Sequence, residues 1–192
     1  MTVKLVGSTS GSVSLQAPAS TTGGAHRVLT LPDVNGTVAT TTTAGKILQV
    51  VQGTSTTYTT TTSTSSYVDT TLSQAITPTA AGSKILVSIS QSCNMSVSSY
   101  NTGMYIQLLE GSNVIYTPGS SQSFYWFFGG GNNSATTKAR WNFVYLHTPS
   151  YSLGSALTYK TQMKAYTDGA TTSARVQPSS DPSYIILQEV AS

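Results

Sequence analysis

The sequence predicts an all-β protein, because three observations agree. Apolar and polar residues alternate with a period of two over long stretches, which is the pattern of strands that bury one face. Ser, Thr, Val, Ile and Tyr dominate these stretches, and β-branched and aromatic residues favour strands. No segment combines a sustained period of 3.6 residues with helix caps. We therefore predict an antiparallel β-sandwich of jelly-roll type at 67–192, preceded by an extended β-arm at 1–53 and a connector at 54–66.

The clearest alternation begins at Lys84. Its apolar residues fall on one face of a predicted strand, while Ser and Asn occupy the other face. The apolar face comprises Ile85, Val87, Ile89, Cys93 and Met95. The one cysteine of the chain lies on this face, so we expect a buried thiol and no disulfide within the chain.

Three later stretches repeat the alternation and predict further half-buried strands. Their apolar faces are Met104, Ile106 and Leu108, then Ala139, Trp141, Phe143 and Tyr145, then Leu157, Tyr159, Met163 and Ala165. The sequence Gly111 to Asn113 predicts a short hairpin loop, and Asp168-Gly169 predicts a turn. About eight strands between residues 66 and 191, at regular spacing, are typical of a sandwich.

Short apolar runs separated by turn residues fill the first part of the chain. VSLQA, RVLTL, GTVAT and KILQVV are interrupted by PAS, LPDVNG and TAGK. Strands this short cannot bury both faces alone, so we predict that they pair with partner chains, which would saturate their edge hydrogen bonds. The predicted interface with other chains comprises Val28, Leu29, Leu31, Ile47, Leu48, Val50 and Val51.

The connector at 54–66 consists of Ser and Thr apart from Tyr58. Such a tract cannot supply a hydrophobic core, which is typical of a flexible linker. Thr also favours extended backbone, so the tract can equally form an edge strand. We predict an extended and at least partly ordered connector.

Charge is sparse and dispersed. Charged residues make up 8% of the chain, against roughly 25% in an average soluble protein. The nine Lys and Arg residues, scattered singly from Lys4 to Arg175, leave a formal net charge of +3. A nucleic-acid surface needs clustered cations that release several counterions together, so we expect no nucleic-acid partner. The apolar start MTVKLV is shorter than a signal-peptide core, and no apolar run could span a bilayer, so we expect cytoplasmic synthesis and no membrane insertion.

Few residues could carry acid–base chemistry. The candidates are Asp33, Asp69, Glu110, Asp168, Asp181, Glu189, His26 and His147. Most lie in predicted turns, where Asp bonds its own backbone, and the two histidines lack a further ligand at metal-binding spacing. The run Gly129–Gly131 lacks the Lys-Ser or Lys-Thr of a phosphate loop. We therefore expect a non-enzymatic protein with no catalytic residues, no cofactor and no metal.

One aromatic cluster stands apart from the rest of the chain. It comprises the consecutive residues Phe124, Tyr125, Trp126, Phe127 and Phe128. A strand of consecutive aromatics carries rings on both faces, so one face meets something other than the chain's own core. Two interpretations are open. The rings pack against a neighbouring subunit, as aromatics do in interface cores, or they form an exposed platform for a sugar.

Two patterns in the chain resemble those of tailed-bacteriophage virion proteins. The first is similar to a motif near the start of many tail-fibre and capsid-associated proteins. It is carried by Ala17–Ala19, Leu29–Asp33, Asn35–Val38 and Gly45–Leu48. The other pattern resembles a C-terminal β-domain common in such proteins. It is carried by Ser66–Thr70, Ile76–Pro78, Ser83–Val87, Leu157–Lys160 and Ile185–Val190.

The resemblance implies a virion structural protein with homotrimeric symmetry, whose arm fastens it to the particle and whose C-terminal domain faces outward. The short chain has no long repetitive shaft, which favours a capsid decoration or cement protein on the virion exterior, made in the host cytoplasm. Its predicted partners are further copies of itself and the major capsid protein or another virion protein. The alternative is a short tail fibre or spike whose C-terminal knob binds a host surface glycan.

Overall fold

The computed structural model of the protein describes residues 2–6, 12–16, 46–97, 102–119, 123–126, 135–167 and 172–192. The chain divides into two compact units, Met1–Thr41 and Thr42–Ser192. In the first unit, β1 (Thr2–Val6) and β2 (Ser12–Gln16) form an antiparallel pair. β2 contains most of the predicted strand VSLQA, whereas the predicted strands RVLTL and GTVAT lie outside the described residues.

The second unit is built from strands. They are β3 (Ile47–Ser55), β4 (Thr59–Thr61), β5 (Val68–Ile76), β6 (Lys84–Val97), β7 (Thr102–Glu110), β8 (Asn113–Tyr116), β9 (Phe124–Trp126), β10 (Ala135–His147), β11 (Leu157–Thr167), β12 (Thr172–Val176) and β13 (Ser183–Val190). A short 3-10 turn at Pro178–Ser180 precedes β13. Within the described parts of the chain, no helix has the length and apolar character needed to cross a membrane.

The strands form two antiparallel sheets that pack face to face. One is six-stranded, in the order β3-β13-β6-β12-β4, with β10 along the other edge of β6. The other is five-stranded, in the order β5-β11-β7-β8, with β9 beside β7. The predicted all-β sandwich is confirmed. β11 and β12, on either side of the predicted Asp168-Gly169 turn, lie in different sheets, and the turn residues themselves lie outside the described residues.

The core lies between the two sheets, where the predicted alternation places it. The apolar face of β6 is buried along its length, and Tyr159, Met163 and Ala165 of β11 are fully buried opposite it. Each buried Ile or Leu contributes about 1.5–3 kcal/mol of transfer free energy. Cys93 is a free, buried thiol, as predicted, and burial raises its pKa to about 12. The period of two was therefore sufficient to identify the core face.

The segment KILQVV lies in the six-stranded sheet. The sequence assigned it to the arm, with pairing between chains. In the structure β3 pairs along Ile47–Ser55 with β13 of the same chain, and β13 supplies an alternating apolar partner, Ile185 and Leu187. Pairing of the other edge of β3 with a second chain stays a prediction. Part of the Ser/Thr connector forms β4, an edge strand beside β12.

A glycine marks the closest approach of β3 to β5. A Cβ added at Gly53 would lie 2.7 Å from the carbonyl oxygen of Ser73 and 2.9 Å from Cβ of Gln74. Carbon and oxygen atoms do not approach this closely without repulsion. Glycine inside a strand often marks such a backbone approach, and here it lets the edges of the two sheets meet.

The hydroxyl groups of β5 and β11 form a polar patch inside the sandwich that the periodicity does not reveal. The register between the two strands shifts here, and Thr71 takes φ 65°, which is rare for a β-branched residue. The Thr70 hydroxyl donates to the Thr161 carbonyl at 3.0 Å. The Thr161 hydroxyl in turn donates to Oε1 of Gln91 in the facing sheet at 3.0 Å. The patch therefore joins the two sheets with hydrogen bonds.

Candidate assembly surface

The outward face of the six-stranded sheet carries apolar side chains in register across β10, β6, β13 and β3. It is opposite the core face, since Ile85 and Val87 of β6 are fully buried on the inside. Residues directly opposite each other in neighbouring strands share a face, with Cβ atoms about 4.5–5.5 Å apart. Two rows cross this face: Leu146, Leu86, Gln188 and Val50, then Val144, Ser88, Ile186 and Gln52.

We call the apolar members of these rows, Val50, Leu86, Val144, Leu146 and Ile186, the outer apolar face. Its residues on the two flanking strands are the most exposed: Val144 is 64% exposed, Val50 55% and Leu146 49%. Leu86 and Ile186, in the middle, are half-buried. Isolated exposed apolar residues are normal, but a contiguous patch marks an interaction site. The outer apolar face is therefore the candidate functional surface.

Among the described residues of this surface, the charged ones lie at its two ends. Lys84 lies at one end, where it pairs with Val190. At the other end Arg140 forms an ion pair with Asp181, with Nη2 and Oδ2 3.2 Å apart, and donates to the Pro182 carbonyl at 3.1 Å. The directly paired outward residues between these ends are uncharged. This arrangement is an apolar centre with a polar rim, which is the organisation of protein interfaces.

A ladder of rings holds β10 against the core. The Trp141 and Phe143 rings stack with centroids 4.9 Å apart, and the Phe143 and Tyr145 rings follow at 6.1 Å. Tyr116 of β8 lies against Phe143 with centroids 4.3 Å apart. Because the rings pack on one another, their faces are not free for a ligand. Their contacts fix the strand that presents Val144 to the outside.

The ladder ends at a hydrogen bond between the two sheets. Nδ1 of His147 lies 2.9 Å from the hydroxyl of Tyr159. Burial lowers the pKa of His147, although the Glu110 carboxylate acts in the opposite direction. Burial, together with the same carboxylate, raises the pKa of Tyr159. Both side chains are therefore neutral at neutral pH, which suits a structural bond better than proton transfer.

Glu189 ties β13 to the loop that precedes β6. Its carboxylate is fully buried and accepts hydrogen bonds from the Thr79 amide at 2.9 Å, the Ala80 amide at 3.0 Å and Nε2 of Gln49 at 2.7 Å. Burial alone would raise the pKa of Glu189, but the hydrogen bonds from Gln49 and the loop amides outweigh it and lower the pKa to about 2. The hydrogen bonds of this carboxylate therefore stabilise the contact between β13 and the loop.

Asp69 is used in the same way at the surface. It accepts from Nε2 of Gln162 at 2.6 Å and from Nζ of Lys160 at 3.0 Å. Its pKa is lowered, because these contacts outweigh the effect of partial burial. The contact with Lys160 is an exposed ion pair, a class that contributes about 0–1 kcal/mol to stability. Asp69 therefore positions the neighbouring side chains of Gln162 and Lys160.

The outward face of the five-stranded sheet has a different character. Nζ of Lys164 lies 5.0 Å from the ring centroid of Tyr67 and 4.8 Å from that of Tyr105. Tyr105 also meets Tyr166 edge to face, with centroids 6.1 Å apart. Among the carboxylates that the structure describes, none forms an ion pair with Lys164. This outward face therefore combines aromatic rings with a cation held by cation–π contacts.

The structure places only some of the predicted interface residues. Val28, Leu29 and Leu31 lie outside the described residues. Val50 and Ile47 of β3 are half-exposed on the outward side, whereas Val51 packs against the core. Leu48 is half-buried. Of the predicted interface residues in β3, Ile47 and Val50 are therefore the ones exposed to another chain.

The predicted aromatic cluster is described only in its backbone. Phe124–Trp126 forms β9 and pairs with Thr102–Met104 of β7, so the cluster begins in the five-stranded sheet. The side chains of these residues, and the whole of Phe127 and Phe128, lie outside the described part of the chain. Both interpretations of the cluster, a subunit contact and a sugar platform, stay predictions.

Sequence reasoning missed Val144 and Leu146. The signal was present in WNFVYLH, residues 141–147, where apolar residues fall on both faces and interrupt the simple alternation. A strand that is apolar on both faces is expected to be covered on both. Only the register with β6 shows that the even-numbered positions join Leu86 in one patch.

Among the described acid–base candidates, Asp69, Asp181 and Glu189 each bond to different partners. Asp33, Asp168 and His26 lie outside the described residues. In the ranges that the structure describes, no group of three or more His, Cys, Asp or Glu side chains could hold a metal ion.

Comparison with known proteins gives a distant viral neighbour. The sequence matches no protein-family model and no curated protein. The fold is similar to a chain in the structure of infectious bursal disease virus Gt strain, at 15% sequence identity and a TM-score of 0.35, covering 98% of this chain and 46% of that one. The chain thus spans less than half the length of that viral chain. The resemblance to tailed-phage proteins stays a prediction from the sequence motifs.

Proposed function

We propose that the protein is a non-enzymatic structural component of a tailed-phage virion. In this proposal it forms a homotrimer that binds the exterior of the capsid and stabilises it. The observation that carries the proposal is the outer apolar face, with Val144 64% exposed on a surface whose paired residues are uncharged. A protein with this surface gains free energy by assembling, because burial of apolar area is worth roughly 25 cal/mol per Å2.

Two further observations support a structural role. The fully buried carboxylate of Glu189 is used in hydrogen bonds to its own chain, and so is Asp69. The motifs that resemble virion proteins cover both the first part of the chain and the sandwich.

The proposal is tested by deleting the gene from the phage and examining the particles. We expect the deletion particles to assemble, because a decoration protein acts on a formed shell, but to burst at lower temperature or milder osmotic shock than wild type. Supplying the purified protein should restore their resistance. Deletion particles as resistant as wild type would contradict a stabilising role.

The second candidate is a short tail fibre or spike that binds a host surface glycan. The specific observation in its favour is Lys164, which lies between the rings of Tyr67 and Tyr105 on the outward face of the five-stranded sheet. The same deletion separates the two candidates. Sturdy particles that no longer adsorb to host cells would favour the glycan-binding fibre over the capsid protein.

A further inference from the structure

We infer that the outer apolar face is the contact between copies of this chain, with three faces meeting around a threefold axis parallel to the strands. The inference rests on the proposed homotrimer and adds the surface that forms it. Val50, Leu86, Val144, Leu146 and Ile186 would then lie inside the assembly. The partner on this face is a second copy of the chain.

The width of the face fits three copies. The strands β10, β6, β13 and β3 span about 19 Å, at about 4.8 Å per strand. If three such faces form the sides of an equilateral triangle, each face lies about 5.5 Å from the threefold axis. This distance is close to half of the spacing between stacked sheets, which is about 10 Å. One layer of side chains from each copy therefore fills the space around the axis.

The exposed fractions of the side chains on this face agree with their positions in the triangle. In a triangle the flanking strands meet at the corners, where β10 of one copy lies beside β3 of the next. The flanking residues Val144, Leu146 and Val50 are the most exposed apolar residues of the face, whereas Leu86 and Ile186 on the middle strands are half-buried. The corners thus gain the most apolar burial when the trimer forms.

The charges are placed so that the contact buries none of them. A rotation about an axis parallel to the strands keeps the two ends of the face at the same levels in every copy. Lys84 lies at one rim, and the Arg140–Asp181 pair lies at the other. The rows between them are uncharged, so no charge is buried. Since burying an unpaired charge costs several kcal/mol, a neutral centre is required for the contact.

The buried area favours three copies over two. The three uncharged rows of the face, at Leu86, Ser88 and Ser90 of β6, span about 20 Å at about 3.4 Å per residue, so the face covers about 400 Å2 per copy. A trimer then buries about 1,200 Å2 in total, with about 400 Å2 at each of its three pairwise contacts, and one such contact is smaller than the about 1,000 Å2 of a specific interface. Assembly should therefore pass from monomer to trimer with little dimer.

The first test compares the mass in solution of the full chain with two matched variants, by size-exclusion chromatography with light scattering. We expect a trimer for the wild type, a monomer for Val144→Asp and a trimer for Val114→Asp. Val114 is 50% exposed, but on β8 of the other sheet. Circular dichroism should show the same strand signal in all three, because both valines are exposed.

Each outcome is decisive. A Val144→Asp variant that stays trimeric would overturn the inferred contact and leave the proposed homotrimer standing. A wild-type chain that stays monomeric at high concentration would overturn the proposed homotrimer itself.

The second test uses cysteine pairs and separates threefold from twofold contact. Val50 and Leu146 lie in the same row and are separated within one copy by β13 and β6, about 14 Å, which exceeds the about 7 Å limit between the Cα atoms of a disulfide. The double variant Val50→Cys, Leu146→Cys should give covalent dimers and trimers under oxidation, and each single variant should not. Cross-linking of Leu146→Cys alone would show a twofold contact and overturn the threefold one. Cys93 is buried and does not interfere.

Discussion

Glu189 shows how a scarce charged residue is used in this protein. The chain contains six acidic residues, and this one is fully buried without a cation beside it among the described ion pairs. Hydrogen bonds from Gln49, Thr79 and Ala80 replace the water that the carboxylate lost on folding. A carboxylate that accepts several such bonds favours its ionised form. Its ionisation is therefore linked to the stability of the fold.

Glu189→Gln is predicted to destabilise the protein at pH 7 and to flatten its acid response. The pKa of Glu189 is lowered from 4.5 to about 2 in the folded state. The stabilisation is therefore complete above pH 4.5 and is lost as the pH falls towards 2, and it amounts to about 3 kcal/mol. A glutamine keeps one acceptor oxygen for the Thr79 and Ala80 amides, but it turns a donor towards Nε2 of Gln49, which loses its acceptor there. Urea unfolding at pH 7 and pH 3 measures both effects.

The matched variant is Glu110→Gln, at the end of β7. It leaves the contacts of Glu189 intact, so the part of the loss of stability between pH 7 and pH 3 that Glu189 causes should remain, while the Glu110 charge that raises the pKa of His147 is removed. An acid response in Glu189→Gln as steep as that of the wild type would show that another group is responsible.

At the residue scale, the sequence predicted which side chains are buried better than it predicted which side chains form hydrogen bonds with each other. The periodicity identified Cys93 and Tyr159 as core residues, because burial depends on the face of the strand. It could not show that Glu189 meets Thr79, since these residues are 110 positions apart in the chain. The exposed Val144 was missed for the same reason, because its neighbour Leu86 is set by strand register and not by sequence distance.

At the element scale, the strands were predictable but their partners were not. The alternation in β6 and β11 gave their existence and inward faces. The hairpin at Gly111 was predictable because β7 and β8 are joined by a short turn. The placement of β3 beside β13 was not, because the two strands come from opposite ends of the sandwich sequence. Such long-range pairing depends on the whole sheet and leaves no local signal.

Gly53→Ala tests the close approach of β3 and β5. The added Cβ would lie 2.7 Å from a backbone oxygen, which cannot move without shifting the strand. We expect the free energy of unfolding to fall by about 1–3 kcal/mol, as for other overpacked sites. Gly119→Ala is the control, because nothing lies within 4 Å of its added Cβ. Equal stability of the two variants in urea would contradict the close approach.

At the scale of the whole molecule, the sandwich has one neutral apolar outward face and one that carries aromatic rings and lysine. The first contains Val144, Leu146 and Val50, and the second contains Lys164 with Tyr67 and Tyr105. In the proposed trimer the first face lies inside the assembly, and the second lies outside it. The fold class was predictable from composition and period. The difference between the faces was not, because it depends on which strands are neighbours.

The measurement that tests the central claim most directly is the copy number of the protein per virion, relative to the major shell protein, by quantitative mass spectrometry of purified particles. A decoration protein that covers the capsid is predicted to be present in numbers comparable to the shell protein. A number in the tens or fewer would contradict the capsid role and point to a tail or vertex appendage.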